Sequence, residues 1–305
     1  MTTGVLVMAY GGPDSLDDVE PYLLDVRGGR ETPAGIVAEV RERYAKIGGR
    51  SPIRERTDAQ AAALAARLNH NGRRFQVVVG MRHWHPYIRQ TVADLRAQGV
   101  RRLVGLVMAP HYSRMSVGAY YRALAEAAEG LEVREIEQWH LLPGYIGTLA
   151  ERVREAWERF PEADRARVPV IYTAHSLPER IRTWDDPYPT QLAETVDAVA
   201  AALGPHPHRF AYQSAAMTRE PWLGPDAGDV LDELARAGAP GVVIAPIGFV
   251  CEHVEILYDV DIELRARATA LGVQLERIRM VNDAPDVMTD LADLVRATAC
   301  TGEWT

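Results

Sequence analysis

The sequence predicts an α/β protein of two successive doubly wound halves, each a parallel sheet flanked by helices. Three observations predict it. Short apolar, β-branched runs alternate with longer helix-patterned segments along the whole chain. Such alternation implies right-handed crossovers and strands buried on both faces. The alternation restarts after Phe160, and 305 residues with 47% hydrophobic content are enough for two cores.

In chain order, strands are expected over 4–9, 75–81, 103–109, 131–136, 168–174, 209–213, 241–246 and 274–278. Helical patterns fill 57–70, 86–98, 116–129, 145–159, 191–203 and 227–237. The stretch 159–167, with Pro161 and five charges, reads as a surface link. The chain is therefore divided into a first domain over 1–150 and a second over 151–305. Doubly wound sheets bind ligands beyond the carboxyl ends of their strands. Turn-forming clusters with polar and aromatic side chains stand there in both halves: Ala9-Tyr10-Gly11-Gly12-Pro13, Ala109-Pro110-His111, Ala174-His175-Ser176 and Pro246-Ile247-Gly248. A cleft between the halves is the expectation.

Composition excludes several classes. A net charge of −8 opposes binding to a nucleic-acid backbone, which needs clustered Lys and Arg. Two cysteines, Cys251 and Cys300, cannot build a disulfide framework, a four-cysteine zinc site or a cysteine-ligated iron–sulfur cluster. The longest uncharged apolar run, 241–251, contains Pro246 and is too short to span a bilayer. A cytoplasmic location without stable membrane insertion is expected, as is a monomer, since no exposed apolar stripe demands a partner. The dinucleotide fingerprint, the phosphate loop and the Gly-x-Ser-x-Gly elbow are all missing.

Two places carry chemistry. His175 sits where an apolar run emerges, and a neutral imidazole there suits metal ligation or proton acceptance as well as a structural role. The segment 248–263 places carboxylates on one face under either reading. As a strand, Glu255, Asp259 and Glu263 share a side; as a helix they are spaced i, i+4, i+8. A cation would relieve their repulsion, and a solvated acidic surface is the alternative. His83 and His85 flank Trp84 and either edge a ligand cleft or cap a helix. Cys251 reads as a small buried hydrophobe.

Five segments together resemble the ferrochelatase signatures. They are Tyr10-Gly11-Gly12-Pro13 with Val26-Arg27-Gly28-Gly29-Arg30; Arg43-Tyr44-Ala45-Lys46 through Arg50-Ser51-Pro52; Thr173-Ala174-His175-Ser176-Leu177-Pro178; Gln213-Ser214 with Pro221-Trp222-Leu223-Gly224-Pro225-Asp226; and Gly248-Phe249-Val250 with His253-Val254-Glu255 through Asp259. The resemblance is nearest to the soluble Gram-positive-type enzymes, which act on coproporphyrin III. It implies two Rossmann-like, chelatase-type halves enclosing a porphyrin, and insertion of ferrous iron during haem biosynthesis. By resemblance, His175 and Glu255 are the catalytic pair that binds Fe²⁺ and accepts pyrrole protons on one face of the macrocycle. Tyr10 lies on the other face and is axial to the product iron. Arg27, Arg43, Tyr44, Ser51 and Tyr120 hold the porphyrin carboxylates. Asp259 and Glu263 form a second metal or relay site, which would suit Mg²⁺ as well.

No organic cofactor and no iron–sulfur cluster is implied; the partners are the porphyrin, ferrous iron and, transiently, the next haem-pathway enzyme. Departures are Gly28 for a second arginine, with Arg30 or Arg114 to compensate, Tyr212 for a tryptophan, and Gly12 for a threonine, expected to alter the turn little. Protoporphyrin IX as substrate, cobalt or nickel as metal, and a non-catalytic porphyrin or haem carrier are the alternatives.

Overall fold

The computed structural model describes residues 2–70, 72, 75–216 and 220–300. Two compact units emerge: Met1–Trp139 with Cys251–Val254 and Asn282–Thr305, and His140–Val250 with Glu255–Val281. The first holds β1 (Thr3–Ala9), β2 (Phe75–Met81), β3 (Arg102–Val107) and β4 (Glu132–Ile136). These four strands are parallel, in the order β2-β1-β3-β4. Val5, Leu6, Val7 and Met8 are wholly buried in the central β1, as a strand covered on both faces requires. Leu6 and Met8 pack with the helices Ile88–Ala97 and Val117–Ala127. Alternation turns Val5 and Val7 to the opposite face, where the helices Ile53–Asn69 and Pro285–Cys300 pack on the sheet.

The second unit repeats the topology. Its strands β5 (Val170–His175), β6 (His208–Gln213), β7 (Gly241–Pro246) and β8 (Gln274–Arg277) are parallel in the order β6-β5-β7-β8. One face is covered by the helix Ala227–Arg236 and the segment from Ile256 to Ala268. The helices Pro143–Trp157 and Tyr188–Leu203 pack on each other, the former also on β7 and β8.

All eight expected strands form, within two residues at every end. The sequence reading cuts the chain once, between 150 and 151; by contacts the second unit begins at His140, and Cys251–Val254 and Asn282–Thr305 return to the first. Tyr145 explains the earlier start: it is fully buried, and its hydroxyl donates to the carbonyl of Ile247 in the second unit. The unanticipated helix Pro285–Cys300 returns to the first unit, where Arg67 Nε donates to Thr289 Oγ1 at 2.9 Å and Arg134 Nη1 to the Thr298 carbonyl at 2.8 Å. The helices Val19–Val26 and Ala34–Lys46 were not anticipated as elements either. Between 254 and 264 the helical alternative holds: an α-turn, Val254–Leu257, runs into a π-helix, Asp259–Leu264. Among the described residues, no helix is long and apolar enough to cross a membrane.

Candidate active site

In each sheet the chain leaves the central strand to one side and later returns to the other, so the switch point lies beside β1 and β3 in the first unit and beside β5 and β7 in the second. Open α/β sheets bind ligands beyond the strand ends at such points.

In the second unit, His175 is the last residue of β5, after the fully buried Tyr172, Thr173 and Ala174. Its Nδ1 faces the carbonyl of Ser176. A carbonyl only accepts, so the proton belongs on Nδ1, and Nε2 is the ring atom left for other work. Nε2 lies 3.5 Å from Glu255 Oε1, with both side chains about one-third exposed (33% and 30%). Burial by itself lowers the imidazole pKa, but the Glu255 charge and hydrogen bond, the Ser176 carbonyl and Asp259 outweigh it and push the value up to about 9. Glu255 thus favours the protonated form of the imidazole.

The surrounding motifs brace this pair. Tyr188, nearly buried, donates to the His175 carbonyl at 3.0 Å. Ser176 Oγ donates to the Leu223 carbonyl at 2.7 Å and Leu223 N to the Leu177 carbonyl at 2.9 Å, which locks the two loops together. With its hydroxyl turned that way, Ser176 makes no dyad with His175. Gly248 lies against β5: a Cβ there would stand 2.6 Å from Ala174 Cβ, so only glycine lets the chain after β7 approach the His175 strand. The rings of Trp222 and Phe249 each lie 6.4 Å from that of His175. Asp259 accepts from Ser214 Oγ at 2.5 Å, while Glu263, four residues on, is exposed. Among the described residues, no three His, Cys, Asp or Glu side chains are grouped to hold a metal ion.

In the first unit, Tyr10 directly follows β1 and is 37% exposed. The His83 ring lies 4.6 Å from it, and His83 Nδ1 lies 2.8 Å from Asp25 Oδ1. That bond ties the Tyr10 turn to the helix Val19–Val26, which Arg27 caps. The Arg27 Nε is buried without a hydrogen bond, and the Arg27 carbonyl accepts from Arg30 Nε at 3.0 Å. Ser51 is buried beside the same turn, its backbone N donating to the Pro13 carbonyl at 2.8 Å. A Cβ on Gly12 would stand 2.5 Å from Ser51 Oγ. The close Gly12–Ser51 approach thus uses the absence of a side chain at 12. Tyr120 is buried in the core with the Arg82 guanidinium 5.6 Å above its ring. Arg43 pairs with Glu39 at 2.9 Å on the exposed side of its helix, whereas Tyr44 beside it is buried.

The sequence reading missed Asp25 as the partner of His83, Tyr188, and the bonds made by Gln213 described below. Cys251 is buried as expected, and burial pushes its thiol up to about 12.

Known proteins extend this picture. The ferrochelatase family model matches residues 2–299. A protein of Herpetosiphon aurantiacus named ferrochelatase is 43% identical over 288 residues, covering 93% of this chain and 94% of that protein. Proteins named coproporphyrin III ferrochelatase are 39% identical in Geobacillus kaustophilus, covering 96% and 95%, and 36% identical in Bacillus subtilis, covering 96% and 96%. Among solved structures, SirB from Bacillus subtilis with Fe³⁺ superposes with a TM-score of 0.60 at 11% identity, covering 98% of this chain and 96% of that one. At that identity the likeness concerns the fold alone.

Proposed function

The chain belongs to the ferrochelatase family, enzymes that insert ferrous iron into porphyrins, and from that premise we propose that it metallates coproporphyrin III through His175 and Glu255. The observation that carries the site assignment is the 3.5 Å approach of His175 Nε2 to Glu255 Oε1 at a strand end.

Insertion exchanges two pyrrole N–H protons for one Fe²⁺. The carboxylate of Glu255 is the acceptor available at rest, because the imidazole already carries its proton. When iron arrives the imidazolium proton passes to water, and the freed Nε2 then ligates the metal beside a Glu255 oxygen; imidazole and carboxylate both suit Fe²⁺. As the iron moves to the pyrrole nitrogens, the two pyrrole protons pass one after the other through the released Glu255 carboxylate to water, and the imidazole regains its own proton from water. Two protein ligands leave the remaining positions to water, which the pyrrole nitrogens can replace. A fuller protein cage would retain the metal instead of delivering it. Tyr10, partly exposed beside His83, is the axial phenol for the product iron. Asp259 and Glu263 carry hydrated metal toward the pair.

Arg27, Arg43, Tyr44, Ser51 and Tyr120 supply the contacts to the propionates. The buried Arg27 Nε without a hydrogen bond favours such a role, since a guanidinium fork matches a carboxylate. Four propionates on coproporphyrin III use more of these donors than the two on protoporphyrin IX, and the names of the Geobacillus and Bacillus relatives favour the same substrate. The enzyme works in the cytoplasm as a monomer that passes its product transiently to the next enzyme of haem synthesis.

Initial rates of Fe²⁺ insertion into the two porphyrins, followed by visible absorbance, test the choice. Faster metallation of coproporphyrin III is expected; equal or reversed rates overturn the assignment.

A further inference from the structure

His175 ends a strand and Glu255 lies in the helical turn Val254–Leu257, so something must fix the Glu255 backbone against the end of β5. Gln213, the last residue of β6 and the register partner of His175, stands in a position to do this. Its backbone carbonyl accepts from Ser176 N at 2.8 Å, immediately after His175. Its side-chain Nε2 donates to the Glu255 carbonyl at 3.0 Å. Its Oε1 accepts from Thr173 Oγ1 at 2.7 Å, two residues before His175. Three bonds from one residue thus clasp both flanks of His175 and the backbone of Glu255.

The cost of this arrangement shows that it is not casual packing. Gln213 is 5% exposed and Thr173 is wholly buried, yet both are polar, and a leucine and a valine would fill the same space. β6 and β7 lie on opposite sides of β5, so the Gln213 amide passes over the β5 end to reach the segment that follows β7. The next residue, Ser214, holds a left-handed backbone (φ 59), a conformation disfavoured for a side chain with a Cβ. From there its Oγ reaches Asp259, four residues past Glu255, at 2.5 Å.

We infer that Gln213 is a positioning residue that sets the spacing of His175 and Glu255 by holding the Glu255 carbonyl, with its amide oriented by Thr173. The inference rests on the reading of His175 and Glu255 as the reacting pair. The three bonds of Gln213 run to the backbone and to Thr173, so it acts through the backbone that presents the reacting side chains. Outer residues that orient metal ligands typically alter affinity or activity by roughly 10–100-fold.

The experiment uses the full chain, Fe²⁺ and coproporphyrin III, and reads kcat separately from porphyrin affinity by fluorescence quenching, with a melting curve for each variant. Gln213→Leu is expected to lower kcat roughly 10–100-fold with porphyrin affinity unchanged. Thr173→Val, which removes only the orienting bond, is expected to lower kcat in the same direction, and Thr173→Ser to restore it. The threonine pair decides the matter if Gln213→Leu does not fold. Wild-type kcat in Thr173→Val, or a Thr173→Ser variant as slow as Thr173→Val, overturns the inference. His175→Ala is run alongside: if it loses turnover while Gln213→Leu keeps it, the positioning role alone falls, and if His175→Ala keeps turnover, the reacting pair falls with it.

Discussion

Nε2 of His175 and Oε1 of Glu255 stand 3.5 Å apart, brought together by a strand end and by a helical turn that the glycine at 248 allows past it. The separation is short enough for a charged pair and long enough for an ion to enter between the two atoms. In the proposed mechanism, replacing either group would remove one ligand and one proton site while leaving the core untouched, since both side chains are partly exposed. His175→Ala and Glu255→Gln are each expected to lower kcat for Fe²⁺ insertion by roughly 10²–10⁴-fold. Their circular dichroism should match that of the parent. Turnover at the parent rate in either variant removes that residue from the chemistry.

The same pair makes a prediction about stability. The imidazole pKa rises from 6.5 to about 9 in the folded chain, after burial, which lowers it, is outweighed by Glu255, Ser176 and Asp259. A raised folded pKa stabilises wherever the folded state holds the extra proton. The contribution is therefore complete below pH 6.5 and fades as pH rises through about 9. One pKa unit corresponds to about 1.4 kcal/mol, but solvent screens a ring one-third exposed, so about 1–2 kcal/mol is expected. Urea unfolding of the parent at pH 6 and pH 9.5, compared with His175→Ala at both, measures it. A parent and a variant that lose equal stability over that interval contradict the linkage.

Both the alternation of strands and helices and the His175 and Glu255 motifs are local in sequence, and both were readable there. Strand periodicity follows from side chains alternating across a buried sheet, as Val5 to Met8 illustrate. What was not readable is non-local. Nothing in the pattern of residues 285–300 says that this helix packs on the first unit, because its apolar face, Val287, Met288, Leu291 and Val295, fits a core far away in the chain, with Arg67 and Arg134 bonding to Thr289 and the Thr298 carbonyl. The π-helix at Asp259–Leu264 differs from an α-helix by one residue per hydrogen-bonded turn, which the spacing of Glu255, Asp259 and Glu263 does not resolve. Gln213 looked like part of a signature without a task, since its three bonds reach residues scattered along the chain.

Gly12 gives a test of a substitution that reads as harmless in sequence. A Cβ there would stand 2.5 Å from Ser51 Oγ and 2.6 Å from Ser51 Cβ, and Ser51 is itself held by the Pro13 carbonyl. Gly12→Thr is expected to cost about 1–3 kcal/mol of stability through overpacking. Ser51→Gly on that background removes the obstructing atoms and should recover part of the loss, a coupling expected between residues in contact. Thermal or urea unfolding of the two single variants and the double variant checks this; strictly additive effects would mean that the two positions do not meet.

Gly28 follows Arg27, one of the proposed propionate donors. Its backbone is left-handed at φ +64, and a Cβ would meet nothing within 4 Å. Space is therefore available, and the cost of a side chain is conformational: about 1–2 kcal/mol for an L-residue in this region. Gly28→Arg adds a second guanidinium beside Arg27, whose buried Nε makes no hydrogen bond. The variant should melt earlier yet bind coproporphyrin III more tightly, with the gain shrinking as salt is added, because the new contact is an exposed ion pair. Gly28→Ala carries the same backbone cost without the charge and should melt earlier with unchanged affinity. Fluorescence titration of both variants at two ionic strengths separates the terms, and an arginine variant that binds no better than the alanine variant would place the propionates away from this turn.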